Sequence, residues 1–195
     1  MMKIRSALAL AALTISVAVF PAISASAADS FVPDVTHSSV IFKVKHSNIS
    51  YVFGRFNDFD AKIEWSEENP EISSVTFKIK TASVDTGNEQ RDQHLRSPDF
   101  FNAQQYPEIS FESNEVRKIN GNVYQVSGEA TMLGQSRPVS FEWTHIGSGE
   151  NARGEFRKGG IATFTIKRSD FGMDFMLGAL SDEIEMTISL QSVRQ

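Results

Sequence analysis

Cysteine is absent from all 195 residues of the chain. Its absence excludes disulfide bonds, a cysteine nucleophile, a cysteine-ligated metal and the acylated cysteine of a lipoprotein. Histidine is scarce, and His37, His46, His94 and His145 form no H-x-H or H-E-x-x-H pair. The zinc motifs that depend on such pairs are therefore missing. We expect no metal site and no cofactor, and we expect His46, which shares the alternating face of Val40, to be a core residue.

Motifs for catalysis are also missing. The chain has no G-x-S-x-G nucleophile elbow, and Gly159-Gly160 is not followed by a helical pattern that could cradle a phosphate. The paired carboxylates Glu67 and Glu68 lie beside Asn69-Pro70, which is typical of a solvated turn. The sequence therefore predicts a protein without catalytic residues, and not an enzyme.

One long apolar run occurs, at the N-terminus. Lys3 and Arg5 precede the uncharged run Ala7–Phe20, and the small residues Ala25–Ala27 follow Pro21. This pattern predicts a secretory signal peptide, residues 1–27, cleaved before Ala28, because the run is shorter than the roughly 20 residues of a spanning helix. We expect residues 28–195 to be a single domain that is periplasmic, soluble and without a transmembrane segment.

Basic residues are too few to form a nucleic-acid surface. Cleavage of the signal peptide would leave 17 basic residues against 24 acidic ones, a formal net charge of −7. An acidic domain without a basic stripe is a poor partner for nucleic acid or for anionic membrane surfaces. We therefore expect no nucleic-acid partner.

Alternation of apolar and polar residues dominates the rest of the chain and predicts half-buried antiparallel strands. Short breaks such as Asn120-Gly121-Asn122, Gly134-Gln135-Ser136 and Gly147-Ser148-Gly149 are typical of turns. Eight such strands predict an all-β, closed, antiparallel up-and-down barrel, since closure removes exposed edges. The eight alternating segments are Val40–Val44, Phe59–Trp65, Val75–Ile79, Ile109–Phe111, Tyr124–Met132, Val139–Trp143, Ala162–Ile166 and Ile184–Leu190.

A short helical segment near residues 88–101 interrupts the alternation. The spacing predicts a helix over Asn88–Ser97, with Asp85 or Thr86 near the N-cap and Pro98 at the end. Such a polar helix would lie across one rim of the barrel, with Phe100 and Phe101 plugging the mouth. Its charged residues either meet a ligand's head group or form an exposed i,i+4 pair between Asp92 and Arg96.

Phenylalanine is unusually frequent, with 15 residues against three tyrosines and two tryptophans. Inward phenylalanines either fill the core or line a cavity, and an eight-stranded barrel is the size at which both occur. The period of the pattern does not decide between these two. The residues predicted to face inward and to line a ligand cavity are Val40, Phe42, Phe59, Ile63, Phe77, Phe111, Met132, Phe141, Trp143, Phe164, Met186 and Ile188.

Several ordered motifs resemble the signature of the YceI family. They include the run Val84–Phe101 (VDTGNEQRDQHLRSPDFF) followed by Tyr106–Phe111 (YPEISF), and Gly54–Asp60 (GRFNDFD). His37–Val40, Gly134–Val139 and Arg168–Gly172 are similar to further family motifs, so the resemblance extends along most of the predicted mature chain. It implies a lipocalin-like barrel, secreted to the periplasm, that encloses a polyisoprenoid or a similar long-chain amphiphile.

The resemblance favours lipid binding and transport. The head-group candidates are Arg91 and His94, which lie three residues apart and share one face of the predicted helix. The alternative is a stress-related or structural interaction protein with a filled barrel that binds a protein partner. A homodimer is compatible with either, and an enzyme acting on an isoprenoid is a weaker third hypothesis.

Overall fold

The computed structural model describes residues 27–195, most of which lie in the strands of one sheet. The predicted signal peptide, residues 1–27, lies outside this range apart from Ala27. The strands within the described residues are β1 (Asp29–Pro33), β2 (Ser39–His46), β3 (Ser50–Phe56), β4 (Phe59–Trp65), β5 (Ser74–Lys80), β6 (Val84–Asp85), β7 (Glu108–Asn120), β8 (Val123–Met132), β9 (Gln135–Glu150), β10 (Phe156–Lys167) and β11 (Leu180–Arg194).

The eleven strands close into a barrel with eight wall strands, because the six N-terminal strands combine in consecutive pairs. β1 with β2, β3 with β4, and β5 with β6 each form one bent strand of the wall, interrupted by a short irregular segment. The last strand, β11, pairs with β10 along one edge and with both β1 and β2 along the other. Each wall strand lies antiparallel to the next in sequence, and the last meets the first. The predicted closed up-and-down barrel is confirmed.

The sequence analysis did not predict strand β3, because aromatic residues on its outer face hide the alternation of apolar and polar residues. Tyr51 and Phe53 are exposed on the outside of the barrel, whereas Gly54 and Phe56 are buried inside. The inward Gly54 is required because the ring of Phe42 lies directly over it. A Cβ at that position would lie 2.2 Å from Phe42 Cζ, so any larger residue would displace the ring.

The helix α1 (Glu89–Arg96) is capped by a residue other than those predicted. The Asn88 side chain accepts a hydrogen bond from the Arg91 backbone N–H at 3.0 Å, so Asn88 is the N-cap and the prediction of Asp85 or Thr86 was wrong. Asp85 instead accepts from the backbone N–H of Gly87 at 2.9 Å.

In residues 27–195 no helix combines the length and hydropathy needed to cross a bilayer.

Two other local expectations are corrected, one by the long strand β9 and one by the end of β2. Gly147-Ser148-Gly149 was predicted to be a turn, but these residues pair with β10 inside the sheet. The turn lies further along, where Asn151 Oδ1 accepts from the backbone N–H groups of Arg153 and Glu155. His46 was expected in the core, yet it is exposed at the end of β2, where the barrel wall meets the solvent.

Candidate functional site: the cavity inside the barrel

An apolar cavity of about 150 Å³ lies inside the barrel. The alternation of each strand points one set of side chains into this space, and register places Phe77 opposite Phe111 and Phe164 opposite Met186. The sequence-predicted residues that border the cavity are Ile63, Phe77, Phe111, Met132, Phe141, Trp143, Phe164, Met186 and Ile188. All of these except Phe77 and Met132 are only half-buried, because they face the cavity instead of being packed on every side.

The end of the barrel under α1 is filled with side chains. Val40, Phe42 and Phe59, also predicted to line a ligand cavity, are buried in this packed region and do not border the cavity. Ring centroids of Phe42 and Phe56 lie 5.6 Å apart, and Phe101 packs edge-on against Phe56 at 5.4 Å. Phe101 and Phe100 thus close this mouth. The barrel is filled beneath the helix, and the cavity reaches this end of the barrel on the side of Met132, Ile166 and Phe171.

The wall of the cavity contains a seam between β9 and β10. The two strands pair from Phe156 opposite Glu150 to Ile161 opposite Thr144, and among the described residues no ladder pair joins them nearer the helix. Both strands continue, β9 pairing with β8 and β10 with β11. Pro138, which has no N–H to donate, lies in the stretch of β9 that has no ladder pair with β10. Side-chain packing, not backbone hydrogen bonding, closes the wall there.

A small polar group borders the opposite end of the cavity, away from α1. Lys158 lies opposite Ser192 in the β10–β11 register, and His145 lies opposite Gly160 beside a bulge in the β9–β10 ladder. All of these residues border the cavity except Gly160, whose missing Cβ leaves room for Trp143 Cζ2, 2.4 Å from where that atom would be. The Trp143 indole therefore packs over Gly160, next to the polar residues at this end.

Charge at this end is paired across the barrel mouth. Lys158 Nζ lies 2.6 Å from Glu67 Oε1, and the ammonium lies 5.7 Å from the centroid of the Phe31 ring. The hydrogen bond from Lys158 lowers the pKa of the Glu67 carboxyl, which therefore stays ionised at neutral pH. Burial lowers the pKa of His145, with the Lys158 charge acting in the same direction, so its imidazole is neutral at neutral pH.

Sequence reasoning missed Lys158, His145 and Ser192 because only the apolar members of each inward face were counted. The inward alternation of β10 and β11 extends to Lys158 and Ser192. His145 likewise follows Phe141 and Trp143 at a period of two, and all three border the cavity. The bulge in β9 comes only after His145. The alternation was therefore a usable signal for all three residues.

The predicted head-group candidates lie on the rim, outside the cavity lining. Arg91 Nε donates to Thr86 Oγ1 at 2.7 Å, and its Nη2 donates to the Thr86 carbonyl at 2.9 Å. His94 Nε2 lies 2.9 Å from Asp99 Oδ2, and its ring packs edge-on against Phe100. These contacts attach α1 to the segments that flank it.

Asp92 and Arg96 do not form the i,i+4 pair that their spacing suggested. The buried Asp92 carboxylate accepts from the backbone N–H and the hydroxyl of Thr86. Arg96 donates instead to the carbonyl oxygens of Ala82 and Val84. Arg96, which is only half-buried, also forms an ion pair with Glu89. The two bonds from Thr86 satisfy the Asp92 carboxylate, whose burial without a partner would be costly.

Comparison of the sequence with known proteins agrees with the barrel architecture. A family model described as the YceI-like domain matches residues 31–192. A UPF0312 protein of Pseudomonas aeruginosa is 40% identical over 187 residues, which cover 95% of this chain and 97% of the relative. A UPF0312 protein of Yersinia pestis is 38% identical over 183 residues, covering 93% and 95%.

Solved structures share the fold. A Campylobacter jejuni YceI protein superposes with a TM-score of 0.71 at 32% identity, covering 77% of this chain and 90% of that one. Burkholderia cenocepacia BcnA gives a TM-score of 0.74 at 24% identity, covering 82% and 98%. A polyisoprenoid-binding domain from Saccharophagus degradans gives 0.68 at 14% identity, covering 85% and 98%. At these lower identities the likeness shows the fold alone.

Proposed function

Because the chain belongs to the YceI-like domain family, we propose that it binds a polyisoprenoid or a similar long-chain amphiphilic lipid inside its barrel and carries it through the periplasm. The observation that supports this most directly is the cavity lined by Phe111, Phe141, Phe164 and other apolar side chains. A lining of this kind suits a hydrocarbon chain, since it offers dispersion contacts and few hydrogen-bond partners.

Size and energetics constrain how the lipid would fit. An apolar cavity of about 150 Å³ accommodates a molecule the size of benzene, so a long chain has to widen it. The seam between β9 and β10 permits widening without the loss of ladder hydrogen bonds. Each methylene buried there contributes about 0.8 kcal/mol, so ten buried carbons contribute about 8 kcal/mol against the cost of association and of ordering the chain, and a longer buried tail binds more tightly.

Binding without catalysis is the other part of this proposal. Among the described residues, no hydrogen bond joins the Ser192 hydroxyl in the cavity lining to His145 or Lys158 as it would in an activated nucleophile, and no group of three or more metal-ligating side chains is placed to hold an ion. A carrier needs only a complementary surface and a route of exchange. We therefore propose no catalytic residue and no cofactor.

Export is part of the proposed role. The N-terminal pattern of residues 1–27 is that of a signal peptide, and a carrier of long-chain lipids is useful where such lipids must cross an aqueous compartment. The periplasm is such a compartment. We propose that the mature chain begins at Ala28 and acts there.

The test is the identity of what the protein retains and binds. Protein isolated from the periplasm without detergent is extracted with organic solvent, and the extract is analysed by mass spectrometry. We expect an isoprenoid or related lipid at near one molecule per protein, and uptake of added prenol by protein that has been stripped. Stripped, folded protein that takes up neither prenol nor fatty acid would refute lipid carriage.

A second candidate function rests on the exposed apolar residues at the helix end of the barrel. Ile49, at the β2–β3 turn, is 88% exposed, and Phe175, Met176 and Leu177 are partly exposed in the segment before β11. The two segments touch, since Ser47 N–H donates to the Ala179 carbonyl. Such a surface fits a protein partner or a second copy of this chain. Sedimentation of the wild type and of Ile49→Ser would reveal a homodimer and its loss.

A further inference from the structure

The hydrophilic lining of the cavity is concentrated at one end. Four residues with hydroxyl, imidazole or ammonium groups border it, namely Ser110, His145, Lys158 and Ser192. The last three lie together at the end opposite α1, because Lys158 pairs with Ser192 and His145 with the nearby Gly160. Opposite residues in a ladder have Cβ atoms about 5 Å apart, so these side chains can meet one ligand group.

Ser192 is the least explained member of this polar end. It is only 5% exposed, and its hydroxyl has no hydrogen-bond partner in the part of the chain that the structure describes. The Ser192 oxygen is accessible from the cavity that it borders, since the one buried side-chain atom without a hydrogen-bond partner among the described residues is Arg157 Nε. A polar atom of a ligand placed there would supply the missing bond.

Lys158 provides the charge at the same place. Its side chain is 17% exposed, whereas its carboxylate partner Glu67 is 51% exposed. The ammonium therefore lies where the cavity meets the solvent, and Glu67 approaches it from outside. An ammonium has three donors, so Lys158 can bond a second oxygen anion from the cavity side while retaining or releasing Glu67.

We propose that Lys158, His145 and Ser192 bind an oxygen anion in the head group of the lipid, a phosphate or a carboxylate, so that the apolar tail points toward α1. This inference rests on the proposed function, since it assigns an orientation to the bound lipid. Lys158 supplies a charge-assisted hydrogen bond and the Ser192 hydroxyl donates a second. The His145 ring hydrogen-bonds the Gly159 backbone, so it donates to the anion in its protonated form.

The rim residues Arg91 and His94 are weaker competitors for this role. Both guanidinium bonds of Arg91 go to Thr86, and His94 is paired with Asp99. The packed rings of Phe100 and Phe101 also lie between the rim and the hollow part of the barrel. A head group at the rim would have to thread its tail through this packed region.

The experiment measures dissociation constants of stripped protein for three probes: geranylgeranyl monophosphate, geranylgeraniol and palmitate. Lys158→Met should weaken binding of the phosphate and of the carboxylate about 10- to 100-fold and leave the alcohol within about twofold. Lys158→Arg should restore most of the loss, and Glu67→Gln should tighten the two anions by removing a competing carboxylate. Comparison of the losses for geranylgeranyl monophosphate and for palmitate shows whether the polar end of the cavity prefers a phosphate or a carboxylate.

The matched control is Lys62→Met, because Lys62 is an exposed lysine on β4 that pairs with Glu64 on the outside of the barrel. Equal losses for alcohol and anions in Lys158→Met, at unchanged melting temperature, would overturn the proposed head-group site, as would an anion-selective loss in Arg91→Ala. Wild-type protein that binds none of the three probes would refute lipid carriage itself, which is a different outcome.

Discussion

Phe141 and Phe164 stack across the seam of the barrel, with ring centroids 4.8 Å apart and planes inclined by 18°. They extend from β9 and β10 where the backbone ladder between those strands has ended. The pair borders the cavity on its inner side. This part of the wall is therefore made of two aromatic rings that are also part of the candidate binding surface.

Replacement of a phenylalanine by alanine should lower the free energy of unfolding far less where the ring borders the cavity than in the packed end of the barrel beneath α1. Phe56→Ala should lower the free energy of unfolding by about 3–5 kcal/mol, because Phe56 is buried among other rings. Phe164→Ala should cost roughly half of that or less, since one side of the ring already faces a cavity. Urea denaturation of both variants measures the difference, and similar losses would show that Phe164 is packed as tightly as Phe56.

Arg91→Ala should loosen the attachment of α1 without selecting between ligands. The variant loses two hydrogen bonds to Thr86, which predicts a loss of about 1–2 kcal/mol in the free energy of unfolding. Titration with a prenyl phosphate and the matching prenol should show equal changes. A selective loss of phosphate affinity would instead support the original prediction that Arg91 contacts the head group.

Asp85 should contribute to the acid sensitivity of the fold. Hydrogen bonds from the Gly87 N–H, Asn57 and Arg55 lower the pKa of its carboxyl below the usual value. A carboxyl with a lowered folded-state pKa stabilises the protein above its unfolded pKa of about 3.9, and the contribution is lost as the pH falls through the folded pKa. Unfolding free energies from pH 6 to pH 2 should fall less steeply for Asp85→Asn than for the wild type. An unchanged slope would contradict this assignment.

Export predicts a defined N-terminus. Protein recovered from the periplasm should begin at Ala28 or within a residue or two of it, because Ala25 and Ala27 occupy the positions that signal peptidase reads. N-terminal sequencing checks the start. Soluble protein that retains Met1 would contradict cleavage.

Sequence periodicity predicted the barrel because eight of its wall segments alternate cleanly. The segment Tyr124–Met132, for example, lies entirely within β8, and Ile184–Leu190 lies within β11. Strand β3 was missed because Tyr51 and Phe53 are apolar on the outer face, and β1 and β6 are too short to show a period. Alternation reports the face of a strand and therefore depends on polar residues lying outside.

The division between the filled and the hollow part of the barrel could not be predicted from the sequence. Phe42 and Phe164 follow the same inward pattern, yet Phe42 lies across Gly54 in the packed end and Phe164 borders the cavity. The difference depends on how far each ring reaches across the barrel and on what lies opposite it. Those quantities come from packing between strands distant in sequence.

The seam gives a closed barrel two stretches with the properties of edge strands. A complete ladder leaves no backbone groups for another chain, whereas unpaired strands are templates for aggregation by strand addition. Pro138 removes one donor from this template, and Glu142 and Lys167 place exposed charges beside it. The Phe141–Phe164 stack covers the seam from within. These features protect against intermolecular sheet growth at the position where the wall is easiest to part.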